Sequence, residues 1–143
     1  MPESPDIRVL KQAANTDSVL RALRTHFDSP LAHCHVSVGA EAANVRRVTL
    51  QVRDRIRSEW PDTWLVLVYL TTTSGGDPSS TGNTVEFVTG NVFTTMLPNG
   101  AWEVISDEDG VIAFDVTITG AATRYVVSAV RGKVRESEAI AWL

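Results

Sequence analysis

The sequence predicts a mainly β fold, an antiparallel sandwich or small barrel of about seven to eight strands behind an N-terminal arm. Three observations predict it. Short strand-like segments run from Val45 to the last residue at nearly even spacing. Glycine, proline, asparagine and aspartate punctuate them, as turns between strands require. Helical patterns never alternate with the strands, which excludes a doubly wound nucleotide-binding sheet.

The first 43 residues read differently. Residues 1–6 carry Pro2, Pro5, Glu3 and Asp6 and read as an extended arm. Thr16 or Asp17 caps a short amphipathic helix over 17–27, where Val19, Leu20, Leu23 and Phe27 fall at i, i+1, i+4 and i+8. Asp28-Ser29-Pro30 stops that helix, and an alanine-rich stretch over 39–43 leads into the β region. The expected organisation is an arm over 1–43 and a β-sandwich over 44–143.

From there the period is two. Val48, Leu50 and Val52 alternate with Thr49, Gln51 and Arg53, a strand with one buried and one wet face. Residues 64–70 are apolar without alternation, as in a central strand covered on both faces or one whose outer face meets a partner. Residues 71–83, rich in Ser, Thr, Gly and Pro, lack the side chains of a core and read as a long exposed loop. Strands over 84–89 and 91–97 break at Gly90, and Pro98-Asn99-Gly100 turns the chain into 101–106. After the turn at 107–110, residues 111–119 place Ile112, Phe114, Val116 and Ile118 on one face, and strands over 124–131 and 133–142 complete the series.

With 143 residues the chain has the size of one domain, enough to bury roughly two-thirds of its unfolded surface. Its 43% hydrophobic and 21% charged residues are ordinary for a soluble globular protein. A net charge of −4 argues against direct nucleic-acid binding, which needs a clustered basic face. One basic cluster exists in Arg46, Arg47, Arg53, Arg55 and Arg57, and Lys11 and Lys133 are the only lysines among 13 basic residues. Arginine suits protein interfaces and carboxylate pairing, although a GC-rich genome produces the same lean. The single Cys34 allows no internal disulfide and fits a reducing cytoplasm. No secretory signal opens the chain, and its longest apolar run is too short to span a bilayer, so no membrane role is expected.

Candidate chemistry is sparse. His33-Cys34-His35, with His26 nearby, offers zinc-type ligands, yet on a strand Cys34 points away from the two histidines and at most two ligands converge. Asp107, Asp109 and Gly110 resemble a calcium loop, but Ile118 stands where the closing acid belongs, so a tight turn is the simpler reading. Asp115 and Glu103 are the carboxylates to nominate for acid catalysis, and a solvated strand face explains each. Neither a Gly-x-Ser-x-Gly elbow nor a phosphate-binding glycine loop is present. Trp60, Trp64, Trp102 and Trp142 read as core, with a sugar-stacking platform as the rival. The expectation is therefore no catalytic residue, no cofactor and no metal.

Taken in order, Arg46-Arg-Val-Thr-Leu-Gln-Val-Arg-Asp54, the apolar strand from Trp64, the glycine- and serine-rich loop, Val88-Thr-Gly-Asn91, Ser106-Asp-Glu-Asp-Gly110, Gly120-Ala-Ala-Thr-Arg-Tyr-Val126 and Ser137-Glu-Ala-Ile-Ala-Trp142 resemble the Ig-like β-sandwich domains of tailed-bacteriophage structural proteins. The resemblance covers about 100 of the 143 residues and leaves the first 43 outside it. It implies an Ig-like sandwich in a virion protein made in the host cytoplasm. The expected role is a non-enzymatic decoration or cement protein that binds the major capsid protein, or otherwise a tail or neck accessory.

Such a role calls for several modest contacts multiplied by avidity, and for self-association as a dimer or trimer. The expected contact points are the arm over 2–15, with Arg8 and Lys11, and Arg46, Arg47, Arg53, Arg55 and Arg57 near the first strand. A free sheet edge or the 71–83 loop supplies a second contact. A carbohydrate-binding or adhesion module, resting on Trp60 and Trp102, and a glycan hydrolase, resting on Asp115, are the competing readings.

Overall fold

In a computed structural model the protein is described over residues 33–53 and 62–143, where ten strands form two antiparallel sheets. In chain order they are β1 (His33–Val38), β2 (Val45–Arg53), β3 (Leu65–Thr71), β4 (Thr84–Thr89), β5 (Asn91–Leu97), β6 (Ala101–Ile105), β7 (Val111–Thr117), β8 (Ala122–Val130), β9 (Lys133–Glu136) and β10 (Ile140–Trp142). The expected helix over 17–27, and with it Arg8, Lys11, His26, Arg55, Arg57 and Trp60, lie outside the described residues.

One sheet has the order β1-β2-β7-β4 and the other β10-β8-β3-β6-β5, with β9 beside β8. This is the mainly β sandwich expected. The first sheet matches the A-B-E-D sheet of an immunoglobulin-type sandwich, and β9/β10-β8-β3 matches G-F-C, with β6 and β5 added outside β3.

Among the described residues the strand count is ten rather than seven or eight for two reasons. His33–Val38, expected within the arm over 1–43, pairs with β2 from His33↔Arg53 to Val38↔Val48, so the four-stranded sheet takes in residues upstream of the boundary expected near Asn44. The final expected strand is divided, because the Ser137 hydroxyl accepts from Val126 N at 2.9 Å and donates to Glu138 O at 2.8 Å, interrupting the ladder between β9 and β10. The two pieces pair with successive stretches of β8.

The period-two pattern builds the core directly. Val48, Leu50 and Val52 of β2 and Ile112, Phe114 and Val116 of β7 face inward, in a register that sets Leu50 opposite Ile112 and Val48 opposite Phe114. Val66, Val68 and Leu70 of β3, Trp102 and Val104 of β6, and Val126 and Val130 of β8 meet them from the second sheet. Each fully buried aliphatic or phenylalanine side chain contributes on the order of 1.5–3 kcal/mol. Phe87 stands edge-on to Trp102 with centroids 5.1 Å apart and lies 5.1 Å from Phe114, an aromatic knot at the centre.

Two connections shape the rims of the sandwich. At Gly90 the chain leaves one sheet as β4 and enters the other as β5. Its φ is +90°, and a Cβ there would sit 2.9 Å from the Ile105 carbonyl oxygen, so only glycine fits without a shift. The long loop after β3 is pinned by polar contacts instead of a core: Ser79 N donates to Leu70 O at 2.8 Å, and the Glu136 carboxylate accepts from Ser74 Oγ at 2.6 Å and Gly75 N at 2.7 Å.

Candidate functional site

Among the described residues β1 has one neighbour, β2, and its other edge is open. Gly39 N donates to Arg47 O at 2.8 Å, which fixes the alternation of the ladder. His33, His35 and Ser37 therefore bond toward β2, and the peptide groups of Cys34, Val36 and Val38 point to the open edge. Across that edge stand residues 135–140, and between the two walls runs a cleft of about 620 Å³. This volume lies within the usual range of ligand sites, roughly 300–1,000 Å³.

Three arginines line the cleft: Arg46 and Arg53 from β2, and Arg135 from the facing wall. The Nε atoms of Arg46 and Arg53 are buried with no hydrogen-bond partner among the described residues. A buried donor without an acceptor costs about 1–3 kcal/mol, so these two are poised to gain from an anionic partner. Of the two carboxylates on the lining, that of Glu136 is engaged by Ser74 and Gly75 and held below the usual range, first by the Ser74 hydroxyl and then by the Gly75 amide. Glu138 is exposed.

The expected contact arginines thus separate. Arg46 and Arg53 line one cleft at opposite ends of β2, whereas Arg47, in mid-strand on the outer face of the four-stranded sheet, is engaged by Asp115, its Nε and Nη2 donating to that carboxylate at 2.8 and 3.0 Å. Hydrogen bonding to Arg47 is also what holds the Asp115 carboxyl below its ordinary value. Sequence alone does not single out Arg135, because an arginine near a Gly132 turn carries no signal until the sheets are stacked.

Other candidates take structural roles. Cys34 faces the core beside Ser128, and burial pushes its thiol up to about 11, with the Ser128 hydroxyl opposing only in part. A thiol so protonated is a poor metal ligand at neutral pH. His33 and His35 point to the opposite face from Cys34. Among the described residues no group of three or more metal-type side chains converges.

Asp107 caps its own turn, its Oδ1 accepting from Asp109 N at 3.0 Å and Val111 N at 2.9 Å. Asp115 and Glu103 lie on different sheets and do not form an acid pair. Trp64, Trp102 and Trp142 are buried, and Trp102, at 5% exposure, offers no face to a sugar. Among the described residues no helix is long and apolar enough to cross a membrane.

Two apolar surfaces carry no sequence signal. β5 is an edge strand, uncharged throughout, with Phe93 66% and Met96 50% exposed. On the outer face of the six-stranded sheet Leu65, 54% exposed, stands beside Ile105.

The sequence matches no family profile and no curated protein. Among solved structures, a conjugative transposon lipoprotein from Bacteroides eggerthii is similar over 78% of this chain and 96% of that one, at 12% identity and a TM-score of 0.44. The GAE domain of GGA2p from Saccharomyces cerevisiae is similar over 79% of this chain and 87% of that one, at 9% identity and a TM-score of 0.31.

Proposed function

We propose that this chain is a non-enzymatic, partner-binding module of a larger protein assembly, in the form of a decoration or cement protein on a tailed-phage capsid. One observation carries the partner-binding reading: a cleft beside an unpaired strand edge, lined by arginines whose buried Nε donors lack acceptors among the described residues. The virion form rests on the sequence resemblance alone. Against catalysis stand the separation of Asp115 from Glu103 and the engagement of Asp115 by Arg47.

Self-association as a dimer or trimer belongs to the same proposal. β5 supports it, because an uncharged edge strand with exposed Phe93 and Met96, and with no proline or lysine within it, is suited to pairing with a second copy. Sedimentation of the protein and of Phe93→Lys checks this, since the variant is expected to shift to monomer.

Quantitative mass spectrometry of purified particles tests the function. A copy number in simple ratio to the major capsid protein supports decoration. A handful of copies moves the chain to the tail or neck, and absence from particles overturns the virion reading.

A further inference from the structure

We infer that the cleft takes an extended acidic peptide of a partner protein, which adds as a strand to the open edge of β1 and places one carboxylate at each end, on Arg46 and on Arg53. This rests on the reading of the chain as a partner-binding module and names the chemistry of the partner.

The backbone supplies the first half of the inference. Cys34, Val36 and Val38 aim their N–H and C=O groups out of the sheet, and among the described residues no backbone hydrogen bond across the cleft closes this edge. Only another extended polypeptide presents donors and acceptors at the matching repeat, with strands ~4.8 Å apart. A nucleic-acid backbone offers acceptors alone, and a glycan has no such repeat.

The side chains supply the second half. Arg53 pairs with His33 at one end of β1, while Arg46 lies two residues beyond Val48, the partner of Val38 at the other end. Seven residues of strand separate the two arginines, about 23 Å at a rise of ~3.3 Å per residue. Alternation sets Arg46 on the inward face of β2 and Arg53 on its outer face, so an added strand of eight residues, whose two ends point to opposite faces, spans the gap between the two buried Nε donors. Arg135 adds a third positive charge from the opposite wall, and Glu136, already bonded to Ser74 and Gly75, competes for none of them. Between the ends, the inward positions of the guest meet Val36 and Val38, so its middle residues alternate β-branched and polar.

The test uses the full chain and a fluorescein-labelled peptide, acetyl-Glu-Thr-Val-Thr-Val-Thr-Val-Glu-amide, in anisotropy titrations, together with its Gln-ended analogue and a version N-methylated at alternate amides. The acidic peptide is expected to bind in a salt-dependent manner, with the Gln-ended peptide about tenfold or more weaker and the N-methylated one inactive. Amide shifts in NMR are expected at Cys34, Val36 and Val38. Arg46→Gln/Arg53→Gln abolishes the preference for the acidic peptide, whereas Arg47→Gln keeps it. Because the Glu-to-Gln comparison is made on unaltered protein, misfolding of the double variant does not obscure the answer.

Equal binding of the two peptides, no binding, or shifts confined to other strands overturns the inference. Shifts at these three residues that change on dilution of the protein alone assign the edge to a second copy of this chain and overturn a separate partner. Particle stoichiometry uses no peptide, so its outcome fails or stands apart from this one.

Discussion

Arg124 Nε donates to Asn83 Oδ1 at 2.8 Å, joining the start of β8 to the end of the long loop that precedes β4. The same guanidinium reaches Thr81 O at 2.6 Å and Thr123 O at 2.8 Å, so a buried cation is held by neutral acceptors. Asn83 in turn donates through Nδ2 to Ser79 O and Asn99 O, tying the loop to the turn before β6.

Arg124→Ala removes the donor and leaves several acceptors unsatisfied. A loss of about 1–3 kcal/mol is expected, read as a lower urea midpoint. Hydrogen exchange at residues 79–83 is expected to accelerate before the rest of the domain, and a uniform change across all strands would contradict this local role.

Phe114 contacts both Phe87 and Trp102 and is fully buried, whereas Phe93 stands out in solvent. Phe114→Ala is expected to cost about 3–5 kcal/mol in thermal or urea denaturation. Phe93→Ala is expected to change stability by no more than about 0.5 kcal/mol, since nothing in the core loses volume.

Cys34 tests the burial of β1 directly. With its thiol at about 11, the thiolate fraction at pH 8 is about one in a thousand, so reaction with DTNB is expected to be slow in the native state and fast in urea. Rapid labelling of folded protein would place β1 outside the sandwich.

Acid stability depends on two carboxylates held low, Asp115 by Arg47 and Glu136 by Ser74 and Gly75. A depressed folded-state value stabilises the fold above the unfolded-state pKa, near ~4, and that contribution is lost as pH falls through the folded value. Urea midpoints are expected to fall from pH 5 downward, and Asp115→Asn with Glu136→Gln is expected to flatten that slope.

Gly90→Ala is expected to cost about 1–3 kcal/mol, because alanine is forced to positive φ with its Cβ against the Ile105 carbonyl. Gly120, with positive φ but open space around it, is expected to tolerate alanine better in the same melts.

Much of the fold is legible in the sequence because it obeys a period of two. Val48, Leu50 and Val52, or Ile112, Phe114 and Val116, declare one buried face in the sequence itself, and Asp107 and Gly110 declare a turn. β1 is not legible, since His-Cys-His invites a ligand reading and only its pairing with β2 turns it into a strand. The cleft is half legible. Arg46 and Arg53 stand out as part of a cluster, but alternation along β2 sends both Arg47 and Arg53 to the outer face. There Arg47 meets Asp115, and only the position of Arg53 at the strand end brings it to the cleft. Sequence proximity carries no information about a wall built from residues 135–140. The loop after β3 looks featureless because its anchors are long-range polar bonds, which leave no periodic trace.

The passage at Gly90 gives the sandwich an asymmetric rim. On that side the edges β4 and β5 are joined by a single residue, like pages sewn at a spine. On the far side β1 faces β9 and β10 with no direct link between them, so this is where the pages part. A guest entering at the mouth therefore works against packing alone, with the covalent chain resisting only at the opposite end. Stiffness at one rim leaves adaptability to the other.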